Sequence, residues 1–317
     1  MNSELGSNAP CAIGIDVGGS KIAGGIVAAD GRILARQVIP TGAERGGEAV
    51  LTDTLALAAL LLGQCAGRGC RVIAIGVGVC ELVDERGEVI SEQTIRWRGL
   101  PILDRFTALA PARIEADSRA AGYAEARFGA GRPYPSIFFV SVGTGIGSSW
   151  IVDGEPHRGA RGCTGTLASA PVTVFPTDGH DEPMRFVLED FASGPALVQR
   201  YNLRAKARAM GAEEVLAAAA DGDPDAAHVV QTGARALGST LGLLVNVLDP
   251  AAIVVGGGLG AAPGLYWETL VTSTRAHVWS EAHRDLPIRQ AALGGDAGFV
   301  GAAALALSRS MKDTLSA

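Results

Sequence analysis

Three apolar stretches of this chain each run directly into a cluster of glycines, and this recurrence limits the possible folds more than any other feature. The first, residues 13–21, reads Ile-Gly-Ile-Asp-Val-Gly-Gly-Ser-Lys. The second runs into Gly143-Thr144-Gly145 and the third into Gly256-Gly257-Gly258. Glycine has no Cβ, so the backbone N–H groups of such turns can approach an anion closely. A single glycine turn is usually only a tight turn, but three after apolar strands predict a phosphate-binding site.

The residues around the first turn suit a triphosphate. Asp16 precedes the glycines and offers a carboxylate to a hydrated divalent cation such as Mg²⁺. Gly18 and Gly19 open the backbone to phosphate, and Ser20 and Lys21 add a hydroxyl and a positive charge. The motif is not a Walker loop, because no Gly-Lys-Ser/Thr follows four residues after a glycine. It predicts a nucleotide site of a different kind.

The first two turns also precede the same short motif. An Asp-Gly pair lies beyond each, Asp30-Gly31 after the first and Asp153-Gly154 after the second, between apolar stretches. Asp-Gly between such stretches is a strong hairpin signal. The order strand, glycine turn, strand, Asp-Gly turn, strand therefore occurs in each half, which predicts a duplicated domain with two phosphate-binding hairpins.

Composition excludes several classes of function. A chain of 317 residues suits two domains, and its net charge of −6 without a Lys/Arg run argues against a nucleic-acid partner. The apolar run 55–62 is too short to span a membrane, and residues 1–10 have neither a cationic start nor an apolar stretch. The five cysteines have no paired spacing, which favours reduced thiols. We therefore expect a cytoplasmic protein that binds neither nucleic acid nor membrane.

Apolar periodicity and breakers predict the remaining elements. Strands are expected at 72–79, 112–116, 252–255 and, at a sheet edge, 288–292, with a hairpin at 83–90. Helices are expected at 49–62, 100–110, 118–128, 195–209, 213–220, 225–248, 264–276 and 297–309. Residues 129–135 are the best internal linker, and the stretch 171–183, rich in proline, aspartate and glycine, is expected to be an irregular loop.

Taken together, these turns resemble those of the sugar kinases of the ROK family, and the resemblance covers nearly the whole chain. Residues 16–21 resemble the family's first phosphate turn, 143–147 its second and 256–258 its adenosine-side turn. Trp97 and the strand and turn 76–84 fall where the family has them. The segment Leu-Glu-Asp-Phe-Ala-Ser-Gly at 188–194 resembles the family's Leu-Glu-x-x-x-Ser-Gly.

The resemblance implies an α/β fold of two actin-like, ribonuclease H-like lobes with an ATP cleft between them. The first lobe is expected to comprise residues 1–117 and the C-terminal helix 297–317, and the second residues 118–296. ATP and Mg²⁺ are the implied cofactors, with Asp16 near the metal through water, and a homodimer is the implied assembly. Repressors of the family carry a DNA-binding domain before the first strand; only about a dozen residues precede it here, so we expect no repressor.

Asp117 is the residue that the resemblance assigns to catalysis. It falls on the aspartate of the family pattern Glu-Asn-Asp-Ala-Asn, which reads Glu-Ala-Asp-Ser-Arg at 115–119. A carboxylate there can accept the proton of an attacking primary alcohol while the γ-phosphate lies in line. From the residues alone, Asp117 would be interpreted as an ordinary helix N-cap.

The acceptor pocket departs from the family pattern. The two family asparagines around the catalytic aspartate are Ala116 and Arg119 here, and Arg119 is open to three interpretations: a ligand contact, an ion pair with Glu115 or Glu189, or a solvent-facing side chain. The family's sugar-binding glutamate and histidine correspond to Thr166 and Ser169. Glu189 is the one pocket carboxylate besides Asp117 that clearly remains. Other departures are Thr94 for an asparagine and Cys80-Glu81 for Pro-Gly.

These departures predict an altered substrate. A site that hydrogen-bonds particular hydroxyls rejects ligands that leave its buried polar groups unpaired. Loss of an asparagine, a glutamate and a histidine should spoil a glucose pocket, so we expect a pyranose-sized ring of different polarity, such as a valiolone- or valienol-type C7 cyclitol or a modified aminosugar, in antibiotic biosynthesis. The alternatives are an ordinary glucose or N-acetylhexosamine kinase and a non-catalytic sugar sensor.

The zinc motif of the family, Cys-x-Cys-Gly-x-x-Gly-Cys, is absent from this sequence. Cys163 has no partner cysteine at metal-ligand spacing, and structural zinc usually takes four Cys or His ligands. We therefore expect no zinc site, the 171–183 loop held by packing, and His180 at the surface.

Overall fold

The computed structural model describes residues 9–174 and 182–315, which form an α/β fold with two five-stranded sheets. The strands are β1 Ala9–Val17, β2 Lys21–Ala28, β3 Ile33–Pro40, β4 Cys70–Val79, β5 Ala112–Ala116, β6 Ser136–Val142, β7 Ile146–Val152, β8 Glu155–Pro156, β9 Pro171–Val174, β10 Met184–Val187, β11 Ala252–Gly256 and β12 Ile288–Gln290. The helices are α1 Gly47–Ala66, α2 Ile102–Thr107, α3 Asp117–Phe128, α4 Leu188–Ala192, α5 Gly194–Ala205, α6 Ala212–Ala220, α7 Pro224–Leu248, α8 Leu265–His277, α9 Glu281–Arg284 and α10 Ala297–Leu315.

The two large sheets repeat one topology, which confirms the predicted duplication. The first has the order β3-β2-β1-β4-β5, and the second, read from its other edge, has β8-β7-β6-β11-β12. In the first sheet β1 is antiparallel to β2 and parallel to β4, and β4 is parallel to β5. In the second, β11 is parallel to both β6 and β12. Each sheet therefore contains a hairpin portion and a portion of parallel strands. A glycine turn connects the first two strands of each hairpin portion, β1 to β2 in the first sheet and β6 to β7 in the second.

By contacts between Cα atoms the chain divides into two compact units. The first contains Met1–Pro133, Ser149–Thr164 and Ala292–Ala317, and the second contains Tyr134–Ser148 and Gly165–Ala291. The lobe limits expected from the sequence, 1–117 with 297–317 and 118–296, stay a prediction.

Glycines let the last helix lie directly on the first sheet. A Cβ on Gly14 of β1 would be 1.8 Å from the carbonyl oxygen of Phe299, and one on Gly76 of β4 would be 1.9 Å from that of Ala302. Contacts this short are impossible, so only glycine allows α10 to approach the two strands at these points. Phe299, Val300 and Ala303 are buried there, which places the C-terminal helix in the core of the first unit.

Helix α1 is long and apolar enough, by length and composition alone, to cross a membrane. The run 55–62, judged too short for this from the sequence, is only part of the helix. The buried side chains of α1, which include Leu51, Ala58 and Leu61, belong to the same core cluster as residues of β1 and β4. We therefore interpret α1 as the core helix of a folded domain.

The stretch 171–183 differs from the loop predicted for it. Residues 171–174 form β9, which pairs antiparallel with β10, and Pro171 lies opposite Val187. The composition of the stretch obscured this strand, since the breakers are concentrated after Val174. Residues 175–181, with His180, lie outside the described part of the chain. The predicted hairpin 83–90 is reduced to one bridge, Val83 to Val89, around a turn in which Asp84 Oδ1 accepts from two backbone N–H groups.

Candidate active site

Two carboxylates lie at one edge of the first sheet. Asp16 is the last residue but one of β1, and Asp117 follows β5 as the first residue of α3. Between these strands runs β4, parallel to both, so the carboxyl ends of all three reach the same edge. A Cβ on Gly78 of β4 would lie 3.5 Å from Asp117 Cα and 3.6 Å from Asp16 Oδ1. Gly78 therefore leaves the space between the two aspartates open.

This arrangement perturbs the acidity of both groups. Burial first, and then the charge of Asp117, raises the pKa of Asp16 to about 7, although Lys21 acts in the opposite direction. Burial raises the pKa of Asp117 to about 6, with a further contribution from Glu81, while the hydrogen bond from the Ser118 backbone N–H opposes the shift. A half-buried pair of carboxylates that repel each other is a donor set that a cation would stabilise. The chemistry of the site therefore fits a divalent cation.

The start of α10 fixes the Asp16 carboxylate. A Cβ on Gly298, in the first turn of that helix, would lie 2.2 Å from Asp16 Oδ2. No side chain fits there while Asp16 keeps its position. Gly298 could not be singled out from the sequence, because no local motif marks it and its role depends on a strand more than 280 residues earlier in the chain.

The first glycine turn, residues 18–21, is held by its own backbone and by Thr41. Gly18 N–H donates to the Lys21 carbonyl at 3.0 Å, and Thr41 Oγ1 donates to the Gly18 carbonyl at 2.6 Å. Gly19, Ser20 and Lys21 are exposed. The turn therefore offers exposed backbone and one cationic side chain beside Asp16.

Glu81 organises a loop next to this turn. Its carboxylate is buried and accepts from the backbone N–H groups of Gln93, Thr94 and Ile95 at 2.6–2.9 Å, as well as from the hydroxyl of Ser91. The methyl group of Thr94 in turn lies only 2.8 Å from the point that a Cβ on Gly19 would occupy. The predicted substrate role of Glu81 stays a prediction; in the structure its carboxylate anchors the loop 91–95.

Because Glu81 also raises the pKa of Asp117, Glu81→Gln should lower that pKa. The acid limb of the kcat/KM profile should then move to lower pH by about 0.5–1 unit, since Asp117 would stay deprotonated in more acidic solution. The measurement is kcat/KM between pH 5 and 8, with the exposed Glu92→Gln as the control. If KM rose at every pH while the acid limb of the profile stayed in place, Glu81 would affect only the loop 91–95 and not the pKa of Asp117.

Arg119 has the second of the three roles that the sequence left open, an ion pair with Glu115. Its side chain is 1% exposed, and its Nε donates to Glu115 Oε1 at 2.6 Å. The two terminal nitrogens donate to the carbonyls of Gly162 and Val83 at 2.7 and 2.6 Å. Glu115 also pairs with Arg158 and with Arg113. The predicted contact of Arg119 with substrate would therefore require this network to rearrange.

In the second unit the other two glycine turns lie side by side. Gly143 N–H donates to Gly145 O at 2.9 Å, and a Cβ on Gly143 would be 4.0 Å from Gly258 N. Gly257 has a φ of +81°, and a Cβ there would come within 2.3–2.6 Å of the Val142 backbone. Only glycine can therefore occupy position 257. The structure thus brings together Gly143, Thr144 and Gly145 with Gly256, Gly257 and Gly258.

Glu189 lies against the second of the chain's three glycine turns. Its Oε2 accepts from the backbone N–H of Ile146 at 2.7 Å, and a Cβ on Gly145 would be 2.7 Å from the same oxygen. The sequence assigned Glu189 to substrate, whereas these contacts show a carboxylate that supports residues 145 and 146. Its substrate role stays a prediction.

The remaining pocket residues lie at the surface or at a strand end. Thr166 and Ser169 are exposed at a short 3-10 helix, Leu167–Ser169, where Ser169 Oγ donates to the Thr166 carbonyl at 2.8 Å. Ala116 is buried at the end of β5. Cys163 is exposed and donates to the Arg161 carbonyl. The absence of zinc stays a prediction.

Comparison with known proteins agrees with this geometry. A family model described as the ROK family matches residues 12–309. A glucokinase of Streptomyces coelicolor is 32% identical, covering 93% of this chain and 96% of its own, and an N-acetyl-D-glucosamine kinase of Erwinia tasmaniensis is 28% identical, covering 92% and 97%. The crystal structure of a ROK glucokinase from Streptomyces griseus, with glucose and AMPPNP, superimposes with a TM-score of 0.78 at 30% identity, covering 94% and 99% of the two chains.

The family match extends over nearly the whole chain, and the structural match is equally extensive. The resemblance drawn from the glycine turns is therefore confirmed at the level of family, fold and class of reaction. The chain belongs to the ROK family and is a sugar kinase, a phosphotransferase with the actin-like, hexokinase-type fold.

Proposed function

We propose that this kinase transfers the γ-phosphoryl group of ATP to the hydroxymethyl group of a pyranose-sized polyol, with Asp117 as the general base. The observation that carries the proposal is the position of Asp117 beside Asp16, with a pKa of about 6. A base is most effective when its pKa lies near the working pH, and a shift from the usual range toward neutrality meets that requirement. A sugar sensor would have no use for such a base.

The first glycine turn would bind phosphate groups of the nucleotide. The exposed Gly19, Ser20 and Lys21 offer backbone N–H groups, a hydroxyl and an ammonium group. Mg²⁺, held through water by Asp16, would neutralise charge on the transferred phosphoryl group. ATP as the donor is supported by the AMPPNP bound to the Streptomyces griseus glucokinase. The substrate hydroxyl would give its proton to Asp117 as its oxygen attacks phosphorus.

For the acceptor we propose a C7 cyclitol of the valiolone or valienol type, or a modified aminosugar. The support is the chemistry of three positions, Ala116, Thr166 and Ser169, where the ROK pattern has an asparagine, a glutamate and a histidine. Each replacement removes a strong hydrogen-bonding group, so hydroxyls matched to those groups would lose their partners. A role in antibiotic biosynthesis, a homodimer and a cytoplasmic location belong to the same proposal.

A hexose or N-acetylhexosamine is the second candidate acceptor, and the names of the relatives favour it. The Streptomyces coelicolor and Erwinia tasmaniensis proteins are a glucokinase and an N-acetyl-D-glucosamine kinase. At 28–32% identity a shared reaction class is compatible with different acceptors, and pocket residues then decide between them.

A substrate panel tests the proposal. ADP release is measured with ATP and Mg²⁺ against glucose, mannose, N-acetylhexosamines, kanosamine and C7 cyclitols, with Asp117→Asn as the blank. We expect the highest kcat/KM on a cyclitol or aminosugar. Glucose as the best acceptor would establish the second candidate, and binding without turnover on any member would establish a sensor.

The double variant Thr166→Glu/Ser169→His tests the pocket argument directly. Restoring the two groups should raise kcat/KM for glucose relative to the best cyclitol by about 10-fold or more, the effect of one or two regained hydrogen bonds to hydroxyls. The control is Thr173→Glu, which places the same negative charge at an exposed position of β9, four residues beyond Ser169. If the ratio of the two kcat/KM values did not change, Thr166 and Ser169 would not determine which acceptor the enzyme prefers.

A further inference from the structure

Three thiols converge inside the first unit, away from the aspartates. Cys11 lies on β1, Cys65 in the last turn of α1, and Cys70 at the start of β4. Their sulfur atoms all lie within 4.8 Å of one another, and the residues are 0%, 4% and 9% exposed. Three different elements thus each contribute one thiol to a single point.

A lone buried cysteine usually acts as a small apolar side chain, a purpose that alanine or valine also serves. Their mutual proximity needs a further explanation. Burial and the neighbouring cysteines raise the pKa of Cys11 far above its usual range and that of Cys65 to about 11. At neutral pH Cys11 and Cys65 are therefore protonated thiols, and the thiol of Cys70 donates to the carbonyl of Cys65.

The number of ligands and the surrounding core restrict what such a cluster can bind. Thiolates prefer soft ions, but structural zinc takes four ligands, and among the described residues no carboxylate, histidine or fourth cysteine joins the group. Three thiolates also bring three negative charges into an apolar core, where a net charge is costly. A monovalent ion would leave a charge of −2 and a divalent ion −1, whereas a trivalent ion gives a neutral complex.

We propose that Cys11, Cys65 and Cys70 form a binding site for trivalent arsenic. Arsenous acid would exchange its three hydroxyl groups for the three thiols: three As–O bonds break, three As–S bonds form, and each thiol proton leaves with a hydroxide as water. No electron is transferred, and no proton is released to solvent. Because Cys11 and Cys65 react as thiols, their resistance to ionisation is no obstacle to binding.

The geometry requires the three sulfurs to move closer together. Three sulfurs at about 2.3 Å from one pyramidal central atom are about 3.4 Å apart, so separations that are now at most 4.8 Å must shrink by at most about 1.4 Å. The turn 67–69 between α1 and β4 is exposed and can supply this adjustment. Gly69 has a φ of +65° and no atom within 4 Å of a Cβ position, so this end of the turn is not packed.

The test is titration of the whole protein, reduced with a phosphine, with sodium arsenite. Native mass spectrometry should show one arsenic atom gained and three hydrogens lost, and arsenic K-edge absorption should show three sulfur neighbours and no oxygen. Arsenite should also raise the Tm, since it binds the folded state. Cys65→Ser and Cys70→Ala should abolish the rise, whereas Cys80→Ser and Cys163→Ser should retain it.

Several results would overturn the proposal. These are no bound arsenic, arsenic lost in Cys163→Ser, tighter binding of Zn²⁺ than of arsenite, or a Cys65–Cys70 disulfide formed in its place. The absorption spectrum of the unmodified protein decides the ligand set even if a cysteine variant fails to fold. The proposal does not depend on which acceptor the kinase uses.

Discussion

Replacing Asp117 with asparagine should lower kcat for phosphoryl transfer by about 10²–10⁴-fold, the usual contribution of a positioned general base. Asparagine keeps the shape of the side chain, and its carbonyl oxygen can still accept from the Ser118 backbone N–H, as Asp117 Oδ1 does. It cannot accept the proton of the substrate hydroxyl. The measurement is steady-state ADP release on the best acceptor of the panel, together with the affinity for ATP, which should change little.

Asp104→Asn is the matched control, because it removes a carboxylate from the exposed side of α2 in the same unit. Its kcat should equal that of the unmodified protein. If Asp117→Asn kept full activity, Asp117 would be no more than the first residue of its helix.

The same variant should gain stability at alkaline pH. The pKa of Asp117 is raised in the folded state to about 6, so the folded protein binds this proton more tightly than the unfolded chain does. The stability that the protonated carboxyl contributes is complete below about pH 4 and is lost as pH rises through about 6. Asp117→Asn lacks this loss, so at pH 8 its free energy of unfolding should exceed that of the unmodified protein by about 1 kcal/mol, allowing for partial exposure. Denaturant titrations at pH 4 and pH 8 measure the difference.

The repeated order of glycine turns and Asp-Gly pairs was enough to predict the duplicated fold, because each signal is local. The second Asp-Gly pair illustrates this: Asp153 and Gly154 have φ values of 52° and 76°, as a tight hairpin turn between two strands requires. The strand 112–116 was predicted with its observed bounds for the same reason, since a proline precedes it and the Asp117 helix follows it.

Contacts between residues far apart in the chain could not be predicted from the sequence. Gly298 and Asp16 touch only because α10 returns to β1, and Glu81 appeared as a departure from a family pattern until its three backbone donors were visible. From the sequence, the cysteines were interpreted only as reduced thiols. Their spacing along the chain does not show that β1, the end of α1 and β4 bring Cys11, Cys65 and Cys70 together. Strand β9 was missed because the breakers that follow it dominated the composition.

The largest effect on stability is expected from Glu115→Gln. Glu115 is 3% exposed and is the carboxylate partner of Arg119, itself 1% exposed. Removing the negative charge would leave a buried guanidinium with neutral partners alone, the glutamine oxygen and the carbonyls of Gly162 and Val83. Breaking one partner of a buried pair typically costs about 3–5 kcal/mol, so we expect a loss of that order in the free energy of unfolding, measured in denaturant.

An exposed pair of the same chemistry provides the control. Arg105 donates through both terminal nitrogens to Glu48, but the two side chains are 38% and 58% exposed, so Glu48→Gln should cost less than about 1 kcal/mol. The double variant Glu115→Gln/Arg119→Gln should be less destabilised than the sum of its single variants, because it leaves no unpaired charge at position 119. If Glu115→Gln lowered the free energy of unfolding as little as Glu48→Gln does, the ion pair with Glu115 would not be the main interaction of Arg119. Contact of Arg119 with a ligand would then again be a possible interpretation.

The Glu115→Gln variant also connects stability to catalysis. Glu115 and Arg119 lie on either side of Asp117 in the chain, one on β5 and the other on α3, so their ion pair ties together the junction that carries the base. We therefore expect Glu115→Gln to lower kcat as well, even at temperatures where the protein remains folded. Arg119→Lys separates the two effects: it keeps the charge but cannot make all three hydrogen bonds of the guanidinium in their fixed geometry. A variant that keeps much of its stability but loses activity would show that the network positions Asp117 rather than only holding the fold together.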